Sequence, residues 1–192
     1  MGADNEENEA NNEVAADGGS QPNPNGFFAD YTSGSGACSV AVAVRVRPFV
    51  GRELTEGTRK EIIFPAEGGG STDRLQIGGK SFTFDTVFWA EEKQENIFDK
   101  CTRNLVLGCF HGYNATILAY GQTGSGKTHT MGTGYTMGVP FEEVGIVPRV
   151  FKFIFDELEL RRAQSEYSEF KVKISFLELY NEELHDLLDP AS

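Results

Sequence analysis

Cysteine is scarce in this sequence, and long apolar runs are absent. The three cysteines, Cys38, Cys101 and Cys109, are odd in number and show no C-x-x-C spacing, so we expect neither a disulfide framework nor a zinc site. No apolar stretch reaches the length of a membrane span, and the N-terminus lacks the basic and apolar regions of a secretory signal. The sequence therefore predicts a soluble protein of the reduced cytosol.

Lysine and arginine are missing from residues 1–36, which hold seven acidic residues. This stretch is rich in Asn, Glu, Gly, Ser and Pro and cannot bury enough apolar surface to offset the entropy of ordering it. We expect a disordered acidic tail over 1–36 and a folded domain over 37–192. The rest of the chain has 17 basic and 22 acidic residues, so its basic residues are numerous enough to meet an acidic partner locally.

The most informative stretch that the sequence does contain is GQTGSGKT at residues 121–128, which fits the phosphate-loop pattern G-x-x-x-x-G-K-[ST]. The run Ala115–Tyr120 before it is almost wholly apolar, as expected of a parallel strand buried on both faces. The residues after Lys127 can begin a helix. A chance glycine-rich turn is the alternative, but strand, glycine turn and helix start are the context that the motif requires. The sequence therefore predicts nucleotide binding.

Each residue type in this loop suits a polyphosphate. Glycines let the backbone wrap around an anion with its N–H groups aimed inward, and the start of a helix adds partial positive charge. Lys127 would reach the β- and γ-phosphates, and the Thr128 hydroxyl would take one position around Mg²⁺. The predicted nucleotide-binding residues are Gly121, Gln122, Thr123, Gly124, Ser125, Gly126, Lys127 and Thr128, with Thr128 as the metal ligand.

The remaining sequence alternates short strands and helices. Predicted strands cover 40–46, where Val alternates with Ala and Arg up to Pro48, and then 81–84 and 170–179, with small hairpins between 49 and 80. Predicted helices cover 92–108, the residues that follow Lys127, a segment with Pro148 in its first turn, and 181–188. Four glycines and Pro140 predict an inserted loop over 132–145.

Several motifs, taken together and in order, resemble the kinesin motor domain. They read RVRP at 45–48, FDTVF at 84–88, GYNAT at 112–116, YGQTGSGKTHTM at 120–131, GIVPR at 145–149 and LELYNEELHDLLD at 177–189. The resemblance extends from about Ser39 to Asp189, and the wording around the loop is most similar to the chromokinesin-like branch. It implies an α/β fold, a P-loop NTPase-type three-layer domain with a central, mostly parallel or mixed sheet.

The resemblance also implies an activity and roles for residues outside the loop. The family is a group of ATP-hydrolysing microtubule motors, so ATP and Mg²⁺ are the expected cofactors and the microtubule is the expected partner in the cytoplasm and cytoskeleton. Arg45 and Pro48 match the adenine-side motif, and His129 matches the residue on the other side of the base; a planar guanidinium stacks well on adenine. Lys173 would lie near the microtubule-facing side, although a solvated charge is nearly as plausible.

Two family motifs are not found in the sequence. Switch I, N-x-x-S-S-R-S-H, and switch II, D-x-x-G-x-E, do not occur after Thr128. We therefore expect the first half of a motor domain, with no catalytic residue inside it. By itself this half is expected neither to hydrolyse ATP at a motor's rate nor to fold as a stable monomer. No contact with DNA or membrane is evident, and a coiled-coil homodimer would need a longer protein.

Two other functions remain open. One is a half-domain that binds a nucleotide or a partner without turnover. The other is a different phosphate-loop enzyme such as a nucleotide kinase, which is disfavoured because the motifs outside the loop match kinesins.

Overall fold

The computed structural model describes residues 40–55, 62–63, 73–132, 138–164 and 169–189. The predicted acidic tail over 1–36 lies outside these residues. The strands are β1 (Ala43–Arg45), β2 (Ile62–Ile63), β3 (Arg74–Ile77), β4 (Lys80–Thr83), β5 (Thr86–Phe88), β6 (Leu177–Tyr180) and β7 (Glu183–Asp186). The helices are α1 (Gly51–Thr55), α2 (Gln94–Cys101), α3 (Arg103–Phe110), α4 (Lys127–Met131) and α5 (Ile146–Ala163), with a 3-10 helix at Phe141–Glu143.

Strands β1 and β5 pair in parallel, which brings residues 43–45 beside residues 86–88. The register aligns Ala43 with Thr86 and Arg45 with Phe88, and the Val46 amide extends the ladder by donating to the Phe88 carbonyl at 2.8 Å. All three residues of β5 are buried, as expected of a strand covered on both faces. This pairing fixes the position of Arg45, the last residue of β1.

The predicted small hairpins are confirmed for the described part of 49–80. Strands β2, β3 and β4 form an antiparallel sheet in that order. Gly78 and Gly79 make the turn between β3 and β4 with φ of 54° and 79°, which L-residues with a side chain rarely adopt.

The core lies between β5 and the helices α2 and α5. Phe88, Ile97 and Ile146 form its buried cluster, and Met131 of α4 packs against it. Pro148 stands in the first turn of α5, as predicted. The helix expected over 92–108 is instead two helices, which meet at Thr102, where φ of −123° lies outside the helical region.

The expected strand at Ala115–Tyr120 is not formed. The described strands make three separate sheets, and none of them includes this segment. Leu118 is 84% exposed and Tyr120 is 95% exposed, so the segment is not covered on both faces either. A strand buried on both faces needs a paired neighbour and a layer on each side, and an apolar sequence alone supplies neither.

Two predictions near the C-terminal end were also wrong. The segment 181–188, predicted as a helix, holds the turn and second strand of the β6–β7 hairpin, with Tyr180 paired to Glu183. Asn181 and Glu182 form the turn with φ of 50° and 68°, and Asn tolerates that conformation better than most residues. Residues 170–176, predicted as a strand, have no strand pairing, and the strand begins only at Leu177.

Among the helices in the described ranges, none is both long enough and apolar enough to span a bilayer.

Candidate nucleotide-binding site

The glycine-rich loop turns through conformations that only glycine adopts readily. Gly124 and Gly126 have φ of 82° and 99°, and Gly121 has φ of 150°. The Ser125 amide donates to the Gln122 carbonyl at 3.1 Å, which closes the tight turn. Helix α4 begins at Lys127 immediately after Gly126 and is only five residues long. The predicted order of glycine turn and helix start is therefore found, whereas the strand before them is not.

Lys127 curls back over the loop that precedes it. Its ammonium Nζ donates to the Gly121 carbonyl at 2.6 Å and to the Gln122 carbonyl at 3.0 Å. An ammonium group has three donors, so two are used by the loop itself and one remains. The positive charge thus stands at the mouth of the turn, where a phosphate group would compete for the same hydrogens.

A side chain at either of two glycines, Gly121 and Gly145, would come into close contact with neighbouring atoms. A Cβ on Gly121 would come within 2.5 Å of the Ser125 hydroxyl oxygen. A Cβ on Gly145 would meet backbone atoms at the end of α4, the Gly132 nitrogen at 2.5 Å and the Thr130 carbonyl oxygen at 2.6 Å. Because backbone cannot swing aside as a side chain can, Gly145 is what lets the start of α5 approach α4.

Arg45 and His129 are brought to the same place by a residue that the sequence analysis missed. Gln94, the first residue of α2, is buried and accepts a hydrogen bond from Arg45 Nη1 at 3.0 Å through its Oε1. Its Nε2 donates to the His129 carbonyl at 2.8 Å and lies 3.2 Å from the His129 ring Nε2. Arg45 Nη1 also donates to the Thr130 hydroxyl at 3.0 Å. A lone glutamine at a helix start carries no sequence signal for such a role.

The electrostatics of this cluster favour a neutral imidazole. Burial lowers the pKa of His129 below its ordinary value, the nearby Arg45 charge lowers it further, and Glu143 opposes both effects. Burial likewise lowers the pKa of Arg45 below its ordinary value, with Glu92 opposing. An arginine stays charged under any physiological condition, so the pair presents one fixed cation beside one neutral ring.

The described part of the inserted loop, residues 138–145, is held by Arg149 of α5. Its buried guanidinium donates to the carbonyls of Phe141 at 2.7 Å, Glu142 at 3.2 Å and Val144 at 3.1 Å. It also lies 4.6 Å from the Phe141 ring centroid. Residues 133–137 of the predicted loop lie outside the described part of the chain.

The other residues singled out from the sequence are more peripheral. Pro48 is exposed and follows β1, where its carbonyl accepts from Arg47 Nη1 at 3.0 Å, and no contact joins it to the Gln94 cluster among the described residues. Thr128 is exposed beside Lys127. Lys173 is exposed in the segment that lacks strand pairing. The turn at 121–127, Arg45 and His129 are therefore the predicted residues that hydrogen bonds hold in place in the structure.

The donor set of the loop fits a polyphosphate with its metal. Glycine amides, a lysine ammonium and a threonine hydroxyl suit phosphate oxygens and one coordination position of Mg²⁺. In the described ranges, no three His, Cys, Asp or Glu side chains are grouped so that they could hold a metal ion by themselves. A metal here would depend on ligands from the nucleotide, which is how Mg²⁺ commonly binds in phosphate-loop sites.

Comparison with known proteins gives a consistent result. The family model described as "Kinesin motor domain" matches residues 45–192. Kinesin-like protein KIF21B of Homo sapiens is 46% identical over 162 residues, covering 82% of this chain and 10% of its own length. Chromosome-associated kinesin KIF4B of Homo sapiens is 46% identical over 153 residues, covering 79% of this chain and 12% of its own length. The chain thus spans about a tenth of these curated relatives.

Solved structures agree with the sequence matches. Drosophila NOD, complexed to the microtubule in its nucleotide-free form, has a TM-score of 0.68 at 32% identity over 80% of this chain and 50% of that one. Drosophila Kin10/NOD in complex with divalent manganese and ADP has a TM-score of 0.65 at 30% identity over 81% of this chain and 50% of that one. The fold class is therefore the P-loop α/β class predicted from the motifs, and this chain belongs to the kinesin motor domain family.

Proposed function

We propose that this chain is the nucleotide-binding part of an ATP-dependent microtubule motor. It binds ATP with Mg²⁺ on the loop 121–128, and in a complete motor domain that binding is coupled to hydrolysis and movement along microtubules. One observation carries the proposal: the loop folds so that the Lys127 ammonium stands over the turn, 2.6 Å from the Gly121 carbonyl oxygen and 3.0 Å from that of Gln122. A phosphate group can replace these carbonyl contacts favourably, because its oxygens carry formal negative charge whereas a carbonyl oxygen carries only a partial charge.

The roles of the loop residues follow from their chemistry. Lys127 offsets the charge of the β- and γ-phosphates as a point charge on a flexible stem. Glycine amides of the turn contribute further donors, and α4 is too short for its dipole to contribute much. Thr128 supplies a hydroxyl to Mg²⁺, which bridges phosphate oxygens and neutralises their charge when it is bound.

The base end of the nucleotide is assigned to Arg45 and His129. The flat guanidinium of Arg45 can stack on a purine ring, and the neutral imidazole of His129 offers a second flat face. Pro48 belongs to the same RVRP motif, and its role rests on the family resemblance alone.

The microtubule is the proposed partner, with a cytoskeletal location. This part of the proposal is supported by the NOD structures, one of a complex with the microtubule and one with manganese and ADP. Lys173 is a proposed contributor to the filament contact because it is exposed and positively charged. A filament-bound motor would cosediment with microtubules, and ATP would change the bound fraction.

Binding without turnover is the second candidate. It needs only the phosphate contacts of the loop 121–128, where the Lys127 ammonium is already held, and no residue that positions water. The two candidates share the nucleotide site and differ in chemistry. Phosphate release, measured with and without microtubules, separates them: stimulated release supports the motor, and tight binding with no release supports the binding module.

The nucleotide site itself is tested by charge removal. Lys127→Ala is expected to weaken ATP binding about 10- to 150-fold, since a lost charged hydrogen bond costs about 1.5–3 kcal/mol. Lys152→Ala is the matched control, because Lys152 is an exposed lysine on α5 that pairs with Asp156 and is not part of the loop. Equal ATP affinities for the two variants in calorimetric titration would rule out the assigned site.

The metal role is tested at Thr128. Thr128→Val removes the hydroxyl at nearly constant shape, whereas Thr128→Ser retains it. We expect Mg²⁺ to strengthen ATP binding in the wild type and in Thr128→Ser but less in Thr128→Val. An unchanged Mg²⁺ dependence in Thr128→Val would contradict metal ligation by this residue.

A further inference from the structure

Gln94 is a buried polar side chain whose two amide atoms are both used. It is only 4% exposed, at the start of α2. Its partners come from three other elements: Arg45 at the end of β1, His129 in α4, and the Glu143 carbonyl in the 3-10 helix, which lies 3.4 Å from Gln94 Nε2. A buried amide that bonds only to distant parts of the chain holds those parts relative to one another.

The partners determine which way the amide points. Arginine has only donors, so the Gln94 oxygen must face Arg45 and the NH₂ group must face His129. The NH₂ group donates to the His129 carbonyl at 2.8 Å and to the Glu143 carbonyl at 3.4 Å, and its nitrogen lies 3.2 Å from the His129 ring Nε2. Because an amide NH₂ group can only donate, a hydrogen bond to the ring requires Nε2 to accept and the imidazole proton to lie on Nδ1.

Arg45 is fixed at two points by the same nitrogen. Its Nη1 donates to Gln94 Oε1 and to the Thr130 hydroxyl, each at 3.0 Å. A planar group held by two acceptors keeps its plane, so less rotational freedom is lost when a flat ligand stacks on it. The rest of the guanidinium is still available to a ligand, because the guanidinium is only partly buried.

We infer that Gln94 is a positioning residue for the base end of the nucleotide site, fixing the relative orientation of Arg45 and His129 and tying both to the inserted loop through Glu143. This inference rests on the proposed nucleotide function. Within the part of the chain that the structure describes, Gln94 forms no hydrogen bond with the turn at residues 121–127. Its loss is therefore expected to weaken recognition of the base and to leave recognition of the phosphates unchanged.

If Gln94 had a purely structural role, its replacement would affect stability and ligand affinity differently. A buried glutamine that only stabilises the fold would, when replaced, lower thermal stability and weaken every ligand of the loop to the same degree. A positioning role changes the ratio between a ligand that has a base and one that does not. The comparison of ATP with inorganic tripolyphosphate measures that ratio directly.

The experiment uses the full-length protein and two substitutions. Gln94→Met keeps the length and removes every hydrogen bond, while Gln94→Glu keeps an acceptor for Arg45 and removes the donor to His129. We expect the Kd for ATP to rise about tenfold in Gln94→Met, the Kd for tripolyphosphate to change less than about twofold, and Gln94→Glu to fall between. The preference for ATP over GTP should decline in the same order.

Thr102→Val is the matched control. Thr102 is also fully buried near α2, and its hydroxyl has no hydrogen-bond partner among the described residues, so its removal should leave both Kd values unchanged. If Gln94→Met does not fold, Gln94→Glu alone tests the hydrogen bond from Gln94 to His129. Thr130→Val then removes the second anchor of Arg45 and should shift the ATP to tripolyphosphate ratio in the same direction.

The outcomes distinguish this inference from the proposed function. Wild-type protein that binds neither ligand in a Lys127-dependent manner overturns both. Lys127-dependent ATP binding together with an unchanged ATP to tripolyphosphate ratio in both Gln94 variants overturns the positioning role alone. If the ratio is unchanged because both Kd values rise by the same factor, Gln94 has a structural role only.

Discussion

The Arg45 guanidinium and the Thr130 hydroxyl, 85 residues apart in the chain, lie within 3.0 Å of each other. Arg45 ends the strand β1, and Thr130 lies in the helix that follows the glycine loop. The hydrogen bond therefore joins β1 directly to α4, the helix that follows the glycine loop. It gives the base end and the phosphate end of the proposed site a common frame, although no strand leads into the loop.

Arg45→Ala is expected to weaken ATP binding less than Lys127→Ala does, and to reduce the preference for adenine over other bases. The stacking contact of a guanidinium is worth about 0.5–2 kcal/mol, whereas Lys127 meets phosphate charge directly. Titration with ATP and GTP measures both effects. Arg47→Ala is the control, because this neighbouring arginine binds Glu53 instead of the site. An unchanged purine preference in Arg45→Ala would contradict the stacking role.

Gly145→Ala is expected to destabilise the domain by about 1–3 kcal/mol, because its Cβ would meet backbone atoms at the end of α4 and force α4 and α5 apart. Gly51→Ala is the control, since nothing lies within 4 Å of the added methyl there. Denaturant unfolding of the two variants gives the comparison. Similar free energies of unfolding would show that the close approach at Gly145 is not rigid.

The conformation of the glycine-rich turn was predictable from the sequence, because it depends on residue types at fixed spacing. Three glycines and one lysine within GQTGSGKT specify the turn wherever it occurs in a fold. The cluster of Arg45, Gln94 and His129 was only partly predictable from the sequence. Arg45 and His129 came from the family resemblance, but Gln94 joins them through contacts across 49 and 35 residues, and no short-range pattern encodes such distances.

Strand predictions failed where they depended on distant neighbours. Ala115–Tyr120 has the composition of a buried strand, yet pairing depends on which other segments lie beside it. Residues 181–188 failed for a different reason. The apolar positions Leu184, Leu187 and Leu188 fit helical spacing, and the same segment also fits a hairpin if Asn181 and Glu182 adopt positive φ. Periodicity over eight residues could not decide between them, and the turn geometry did.

Glu182→Gly is expected to stabilise the β6–β7 hairpin by about 1 kcal/mol. A residue with a side chain at φ of 68° is strained, and glycine relieves that strain while creating the Asn-Gly pair that this turn type favours. Glu183→Gly, placed one residue later inside β7, should destabilise instead. Opposite signs in denaturant unfolding confirm the hairpin. A helix at 181–188 would be destabilised by both substitutions.

Cys101 of α2 and Cys109 of α3 should differ sharply in reactivity. Cys101 packs against the cluster of Phe88, Ile97 and Ile146, and burial raises the pKa of its thiol to about 11, against a smaller opposing effect of Lys100. At pH 8 roughly one such thiol in a thousand is ionised, and the thiolate is the reactive form. Cys109 is exposed. Iodoacetamide should therefore alkylate Cys109 at least about tenfold faster than Cys101 in the folded protein, as followed by peptide mass spectrometry. In denaturant both thiols are solvated, so their rates should converge, and comparable rates without denaturant would show that α2 does not hold Cys101 against the core.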